Sequence, residues 1–421
     1  MIAKILAKLR GDFVIVLVAN IFSYFITFSA SVIYVRLLGK TEFGLYTFAF
    51  GIVSFFLLVN GFGAASGVLQ YVSRAKDDQE RLGYLRFAFR SGGVFNLLIG
   101  ILIIIYALIT PLPIPATKPI LLSMALFPIG RLYIDIFQAY LRAKQHNRLQ
   151  ANFLIINNCV LLIINVCGVI FFKLYGLVYF TYLGYLIMFA YSSYKFKLPT
   201  LWGKIDYKLL QIRQFISYSF FTTLSNAFSG LLFVLDTVII SYVVKDPQIL
   251  ASYRVATMIP FAINFIPNIA INYYYPEFAK NAHNPTKIRQ LSRFVSQRMF
   301  LFSALVSLIL IIAAKPLILT IFGSSYQDSI LPFQIISFGY WIIATFRTIN
   351  GNILAALGKA KLSFYLTFII LLVNIVTTYY LVLKYSMNGA ASAIVVMYIF
   401  SSLVGYITLK LVLRDLERKN D

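Results

Sequence analysis

The chain has 421 residues, of which 60% are hydrophobic and only 12% charged, yet its net charge is +23. Soluble domains carry about 25% charged residues, so this composition excludes a soluble globular protein and points to a polytopic membrane protein. Its two cysteines, Cys159 and Cys167, share one apolar stretch, which excludes a disulfide framework and a cysteine metal centre.

The chain opens with MIAKILAKLR, in which Ile2, Ile5, Leu6 and Leu9 share a helical face and Lys4 and Lys8 lie one turn apart. That pattern predicts a short interfacial helix. A cleaved signal peptide is disfavoured, because the apolar run 13–35 is too long for a signal core. About 20 apolar residues cross a bilayer as a helix. On that scale twelve spans are expected, at 13–35, 43–70, 87–110, 118–141, 151–172, 175–195, 215–244, 249–279, 296–322, 329–357, 362–383 and 389–410. Breakers separate them: Gly39, the prolines Pro111, Pro113 and Pro115, Lys173, Asp246-Pro247, Gly323 and Gly358. Asn284-Pro285 reads as an N-cap and first-turn proline, opening a helix with Ile288, Leu291 and Val295 inward. Pro128, Pro260, Pro267 and Pro332 fall inside spans, where they are expected to kink helices.

The basic residues test this topology. With the N-terminus in the cytoplasm, 27 of the 37 lysines and arginines fall in inside segments and 7 in outside segments. Three remain within spans: Arg131, Arg254 and Arg347. The asymmetry predicts both termini in the cytoplasm. It explains the positive charge as topology and headgroup contact, which excludes nucleic acid as a partner.

The halves repeat each other. KTEFGLY at 40–46 matches KDPQILASY at 245–253, AYLRAK at 139–144 matches AALGKAK at 355–361, and Asn165 matches Asn374. Two parallel six-helix repeats are expected, an N-terminal lobe at 1–203 and a C-terminal lobe at 204–421, related by an axis along the membrane normal. The stretch 215–244 opens the second lobe and carries a single charge, Asp236.

Charges within spans mark functional sites by default. Arg131 lies mid-span four, and Asp135, one turn on, can pair with it. Aligning 139–144 with 355–361 sends Arg131 to Arg347, so a cation at equal depth in each lobe is expected. Guanidinium suits a diphosphate, because its planar fork bonds bidentately and stays charged. Arg254 lies near the outer end of span eight and is both a further cavity cation and a candidate ion-pair partner for Asp236. Tyr273, Tyr274 and Tyr275 read as an interfacial belt.

RLLGKTEFGLY at 36–46, DTVIISYVVKD at 236–246, YYYPEFAK at 273–280 and KPLILTIFGSSYQDS at 315–329 resemble the polysaccharide biosynthesis flippases. These are the O-antigen and repeat-unit transporters of the multidrug/oligosaccharidyl-lipid/polysaccharide exporter superfamily. The resemblance implies an all-α, two-lobed, twelve-helix transporter in the cytoplasmic membrane. It implies alternating-access transfer of a polyprenyl-diphosphate-linked oligosaccharide, with glycosyltransferases and a glycan polymerase as associated proteins. It also implies a coupling site like the sodium site of lipid II flippases, at Asp236, Asn374 and Thr378. Asn374 and Thr378 stand one helical turn apart, and hard cations take oxygen ligands. Proton coupling through Asp236, and no coupling, stay open, and no cofactor is implied. The alternative cargoes are drugs or organic cations, or lipid II. Three arginines against two buried acids favour an anion. No catalytic constellation is present, so an enzyme is not expected. A third class, a structural or scaffold membrane protein, would have no cavity at all.

Overall fold

The computed structural model describes residues 2–195 and 203–420, with side chains beginning at Ile15. The predicted interfacial helix lies outside the described side chains. Its backbone is the start of α1 (Ile2–Leu57). Next come α2 (Ala64–Val72), α3 (Asp78–Ile109), α4 (Thr117–Ser123), α5 (Phe127–Ala143) and α6 (Asn147–Lys195). After α7 (Ile212–Val244) follow α8 (Pro247–Ala262), α9 (Phe265–Lys280), α10 (Pro285–Ile312), α11 (Ala314–Ile321), α12 (Ile330–Ile342), α13 (Thr348–Ala356) and α14 (Ala360–Asn420).

Eight of the described helical stretches are long and apolar enough to cross a membrane, and α4 and α5, bent by 43°, make a ninth. Three of the long ones are broken by residues off the helical conformation: α1 at Gly39, α6 at Lys173 and α14 at Ser386. Dividing them there gives the twelve spans of an all-α membrane protein. The breaks in α6 and α14 are hairpin turns. In a straight helix residues 168 and 176 would stand about 12 Å apart. Instead, a Cβ on Gly168 would lie 2.6 Å from the carbonyl oxygen of Gly176. Further from the turn, Thr181 Oγ1 donates to Asn165 Oδ1 at 3.2 Å. Gly389 meets the Leu381 carbonyl in the same way around Ser386. Only glycine lets two helices reverse at so short a turn.

Equivalent positions carry the same backbone. Lys173 (φ 52, ψ −132) and Ser386 (φ 53, ψ −132) stand 213 residues apart. So do Gln145 and Gly358, both left-handed residues that end α5 and α13. The N-caps Asp77 and Asn284, which accept from the backbone N–H three residues on, stand 207 apart. The duplicated halves therefore survive in the backbone where side chains have diverged.

The chain clusters into two compact units, residues 1–230 and 231–421. The division falls inside α7 and not at the expected 203/204, because the first turns of α7 belong to the core of unit 1. Phe215 is buried there among Tyr71, Tyr84 and Phe87. The segment before α7 is fastened to α3: Arg86 donates to the Lys204 carbonyl, Arg90 to the Gly203 carbonyl, and the Gln211 N–H to Tyr84 Oη. Within unit 2, α10 is joined to α12 by Ser307 Oγ donating to the Ser337 carbonyl at 2.8 Å, and to the turn after α12 by the Ser303–Thr345 hydroxyl pair at 2.9 Å. Such interhelical hydrogen bonds and small residues hold helices together where lipid removes the hydrophobic drive.

Candidate functional site

In unit 1 the polar side chains converge on a break in the second span. Between α1 and α2, Gly61, Phe62 and Gly63 are all left-handed. A broken helix frees backbone groups that lipid cannot satisfy. Here the Gly61 N–H donates to Asn96 Oδ1 at 2.7 Å, and Asn96 is fully buried on α3. Asn96 Nδ2 donates to the Pro128 carbonyl at 2.6 Å and to Asn60 Oδ1 at 2.7 Å. Asn60 Nδ2 in turn donates to Asp135 Oδ2 at 3.0 Å.

Asp135 holds Arg131 as the one-turn spacing on α5 predicts. Nε of Arg131 stands 3.1 Å from the carboxylate. Among the described residues no other hydrogen bond or ion pair engages the guanidinium, and the Arg131 side chain is 54% exposed. Its two terminal nitrogens are therefore open. Tyr185 of α6 lies beside it, and its ring closes directly on Gly130, where any side chain would collide with it.

In unit 2, Arg347 ends a π-helical turn, Ile343–Arg347, between α12 and α13. Such turns recur at functional sites. Its guanidinium lies 5.9 Å from the ring centroid of Tyr398 on α14, and no carboxylate pairs with it among the described residues. The backbone repeat does not align Arg131 with Arg347 as the sequence match did. The structural repeat of 213 residues pairs Arg347 with Ile134 and Arg131 with Ala344. The sequence match of 139–144 with 355–361 ran past the end of α13, since Ala360 and Lys361 lie beyond the left-handed Gly358. Arg347 stands about one helical turn from the counterpart of Arg131.

Asp236 of α7 is buried. It accepts from the Tyr253 hydroxyl and from the Thr237 N–H. Arg254 is near enough to act on it electrostatically, but among the described residues the two form no ion pair. Tyr253 and Tyr398 lie near each other, and Tyr398 is close to both Asp236 and Arg347. Asn374 and Thr378 of α14 are buried, and among the described residues their side-chain oxygens find no hydrogen-bond partner. Among the described residues no three His, Cys, Asp or Glu side chains gather into a metal site.

Asn60, Asn96, Tyr185, Tyr253 and Tyr398 were not singled out from the sequence. For the two asparagines the signal was present: each interrupts an apolar span, Asn60 inside an Asn-Gly-Phe-Gly stretch. The tyrosines are hidden among 29 in the chain.

A family model described as polysaccharide biosynthesis protein matches residues 9–282. Among curated proteins none matches significantly. Solved structures share the fold at low identity. The lipid II flippase MurJ, in an inward closed conformation, aligns with a TM-score of 0.77 at 16% identity, over 96% of this chain and 90% of its own. An inward-facing multidrug resistance MATE family transporter of the MOP superfamily aligns with a TM-score of 0.75 at 13% identity, over 96% of both chains. A MOP superfamily transporter from Pyrococcus furiosus aligns with a TM-score of 0.63 at 14% identity, again over 96% of both.

Proposed function

The chain belongs to the polysaccharide biosynthesis protein family, and from that premise we propose that it is a flippase for a polyprenyl-diphosphate-linked oligosaccharide, such as an O-antigen repeat unit. It would work by alternating access in the cytoplasmic membrane, with both termini inside. The observation that carries this reading is Arg131: a guanidinium within a membrane span, held at Nε by Asp135 and open at both terminal nitrogens. An open fork matches a diphosphate oxygen pair. Arg347, without a carboxylate partner, offers a second cation, and Arg254 a third. Arg347, which no carboxylate pairs among the described residues, favours an anionic cargo over organic cations. Glycosyltransferases that make the lipid-linked glycan, and a polymerase that consumes it, are the partners this cargo requires.

Coupling would run through Asp236. The orphaned oxygens of Asn374 and Thr378 suit a hard cation such as sodium, which would supply a charge that changes the balance between conformations. Asp236 would otherwise carry a proton.

The test is export in cells that need this protein for surface glycan. Arg131→Ala and Arg347→Ala should each abolish surface glycan at normal protein level, with partial rescue by lysine. Normal export by both alanine variants overturns the proposal. Lowered drug accumulation that depends on the chain while glycan export does not would favour the multidrug reading.

A further inference from the structure

The hydrogen-bond chain in unit 1 runs without interruption from broken backbone to cation: Gly61, Asn96, Asn60, Asp135, Arg131. Its last link is the informative one. A bidentate arginine–aspartate pair makes two parallel N–H···O bonds and so occupies at least one terminal nitrogen. Asp135 instead meets Arg131 at Nε, while Oδ2 also accepts from Asn60 Nδ2. Asn60 is itself fixed, because its Oδ1 accepts from the buried Asn96. Asn96 is fixed by Pro128 and by the freed N–H of Gly61. The left-handed run Gly61-Phe62-Gly63 sets where Asn60 points, and a side-chain-bearing residue such as Phe62 adopts that conformation only where surroundings impose it.

We infer that Asn60 is a positioning residue for Arg131, acting through Asp135: it holds the carboxylate against Nε and so keeps the terminal guanidinium nitrogens free for a diphosphate. The inference rests on the proposed diphosphate cargo. It makes the break in the second span part of the binding apparatus. Removing the Asn60 donor lets Asp135 swing onto the guanidinium fork and occupy it. Since Asn60 acts only through Arg131, its loss costs nothing once Arg131 is gone.

A double-mutant cycle tests this on the purified full-length protein, with farnesyl diphosphate in detergent micelles as the probe and calorimetry as the readout. Asn60→Ala and Arg131→Ala should each weaken binding roughly tenfold, the worth of one charge-assisted hydrogen bond. The double variant should bind like Arg131→Ala alone. Should Asn60→Ala fail to fold, Asn60→Ser replaces it, since its hydroxyl still accepts from Asn96 but is too short to reach Asp135. Wild-type binding by the Asn60 variant overturns the positioning role, and so does the same loss repeated in the Arg131→Ala background. In either case the diphosphate reading stands if Arg131→Ala itself is weakened. Wild-type binding by Arg131→Ala overturns both.

Discussion

Tyr253 on α8 donates its phenolic hydrogen to the carboxylate of Asp236 on α7, with both side chains almost wholly buried. The sequence offered Arg254, the next residue, as the partner. Neighbouring residues on a helix point about 100° apart, so only one of the two can face α7, and it is the tyrosine. A neutral donor leaves the carboxylate stabilised but not neutralised by a fixed cation.

The first prediction follows from that contact. Tyr253→Phe leaves Asp236 with the N–H and, at 3.4 Å, the hydroxyl of Thr237 as donors, both on Oδ1, and strips the donor from Oδ2. The loss should be about 1–3 kcal/mol, the cost of an unsatisfied buried polar group. Asp236→Asn, which keeps an acceptor for Tyr253, should cost less. Melting temperatures in detergent decide it, and an unchanged value for Tyr253→Phe would show that Asp236 does not depend on the phenol.

Sodium gives a second measurement on the same region. If Asn374 and Thr378 offer their unpartnered oxygens to the ion, added sodium should raise the wild-type melting temperature. Asn374→Ala should remove that rise while leaving the sodium-free value within a few degrees. Indifference of the wild type to sodium, with glycan export following the pH gradient, would assign coupling to a proton on Asp236.

Arg347 and Tyr398 should be energetically coupled. A desolvated cation over an aromatic face is worth about 2 kcal/mol and an exposed one about 0.5–1 kcal/mol. Tyr398→Leu should therefore destabilise the wild type by about 1 kcal/mol more than it destabilises an Arg347→Leu background. Additive effects would mean that the ring is only a neighbour.

The hairpins at Lys173 and Ser386 have no room to give. Gly176→Leu and Gly389→Leu each drive a side chain into a facing backbone carbonyl. Overpacking costs about 1–3 kcal/mol where neighbours can shift, and a backbone carbonyl cannot. Both variants should fail to accumulate, whereas Gly351→Leu, which meets open space, should accumulate normally. Immunoblots of membrane fractions are sufficient.

Topology is open to labelling once Cys159 and the exposed Cys167 are replaced. An impermeant maleimide should reach Lys245→Cys in intact cells and miss His146→Cys and Lys204→Cys. Outside labelling of Lys204→Cys would break the two-repeat arrangement.

Much of the fold was legible because breakers act locally. Gly39, Lys173, Asp246, Gly323 and Gly358 all end or break helices where hydropathy lapses. The gap expected between the last two spans, 384–388, contains the break at Ser386, where Gly389 meets the Leu381 carbonyl. The Arg131–Asp135 pair was legible from spacing along one helix. Asn60, Asn96 and Tyr253 were not, since their roles depend on which helix lies opposite, and one-dimensional spacing carries no such information. The register of Arg347 misled because short Ala/Lys runs recur by chance at helix ends, while the backbone repeat is fixed by left-handed residues.

The burial of Phe215 and Leu210 in the core of unit 1 also sets an order of events during synthesis. Six spans can enter the membrane before the seventh is made, yet one end of the first bundle still lacks the ring that fills the space between Tyr71, Tyr84 and Phe87. The first bundle finishes maturing only when the opening of the second arrives. Two halves that arose by copying have thereby lost the ability to be made apart: a chain severed at residue 203 would release a first fragment with a hole at its base.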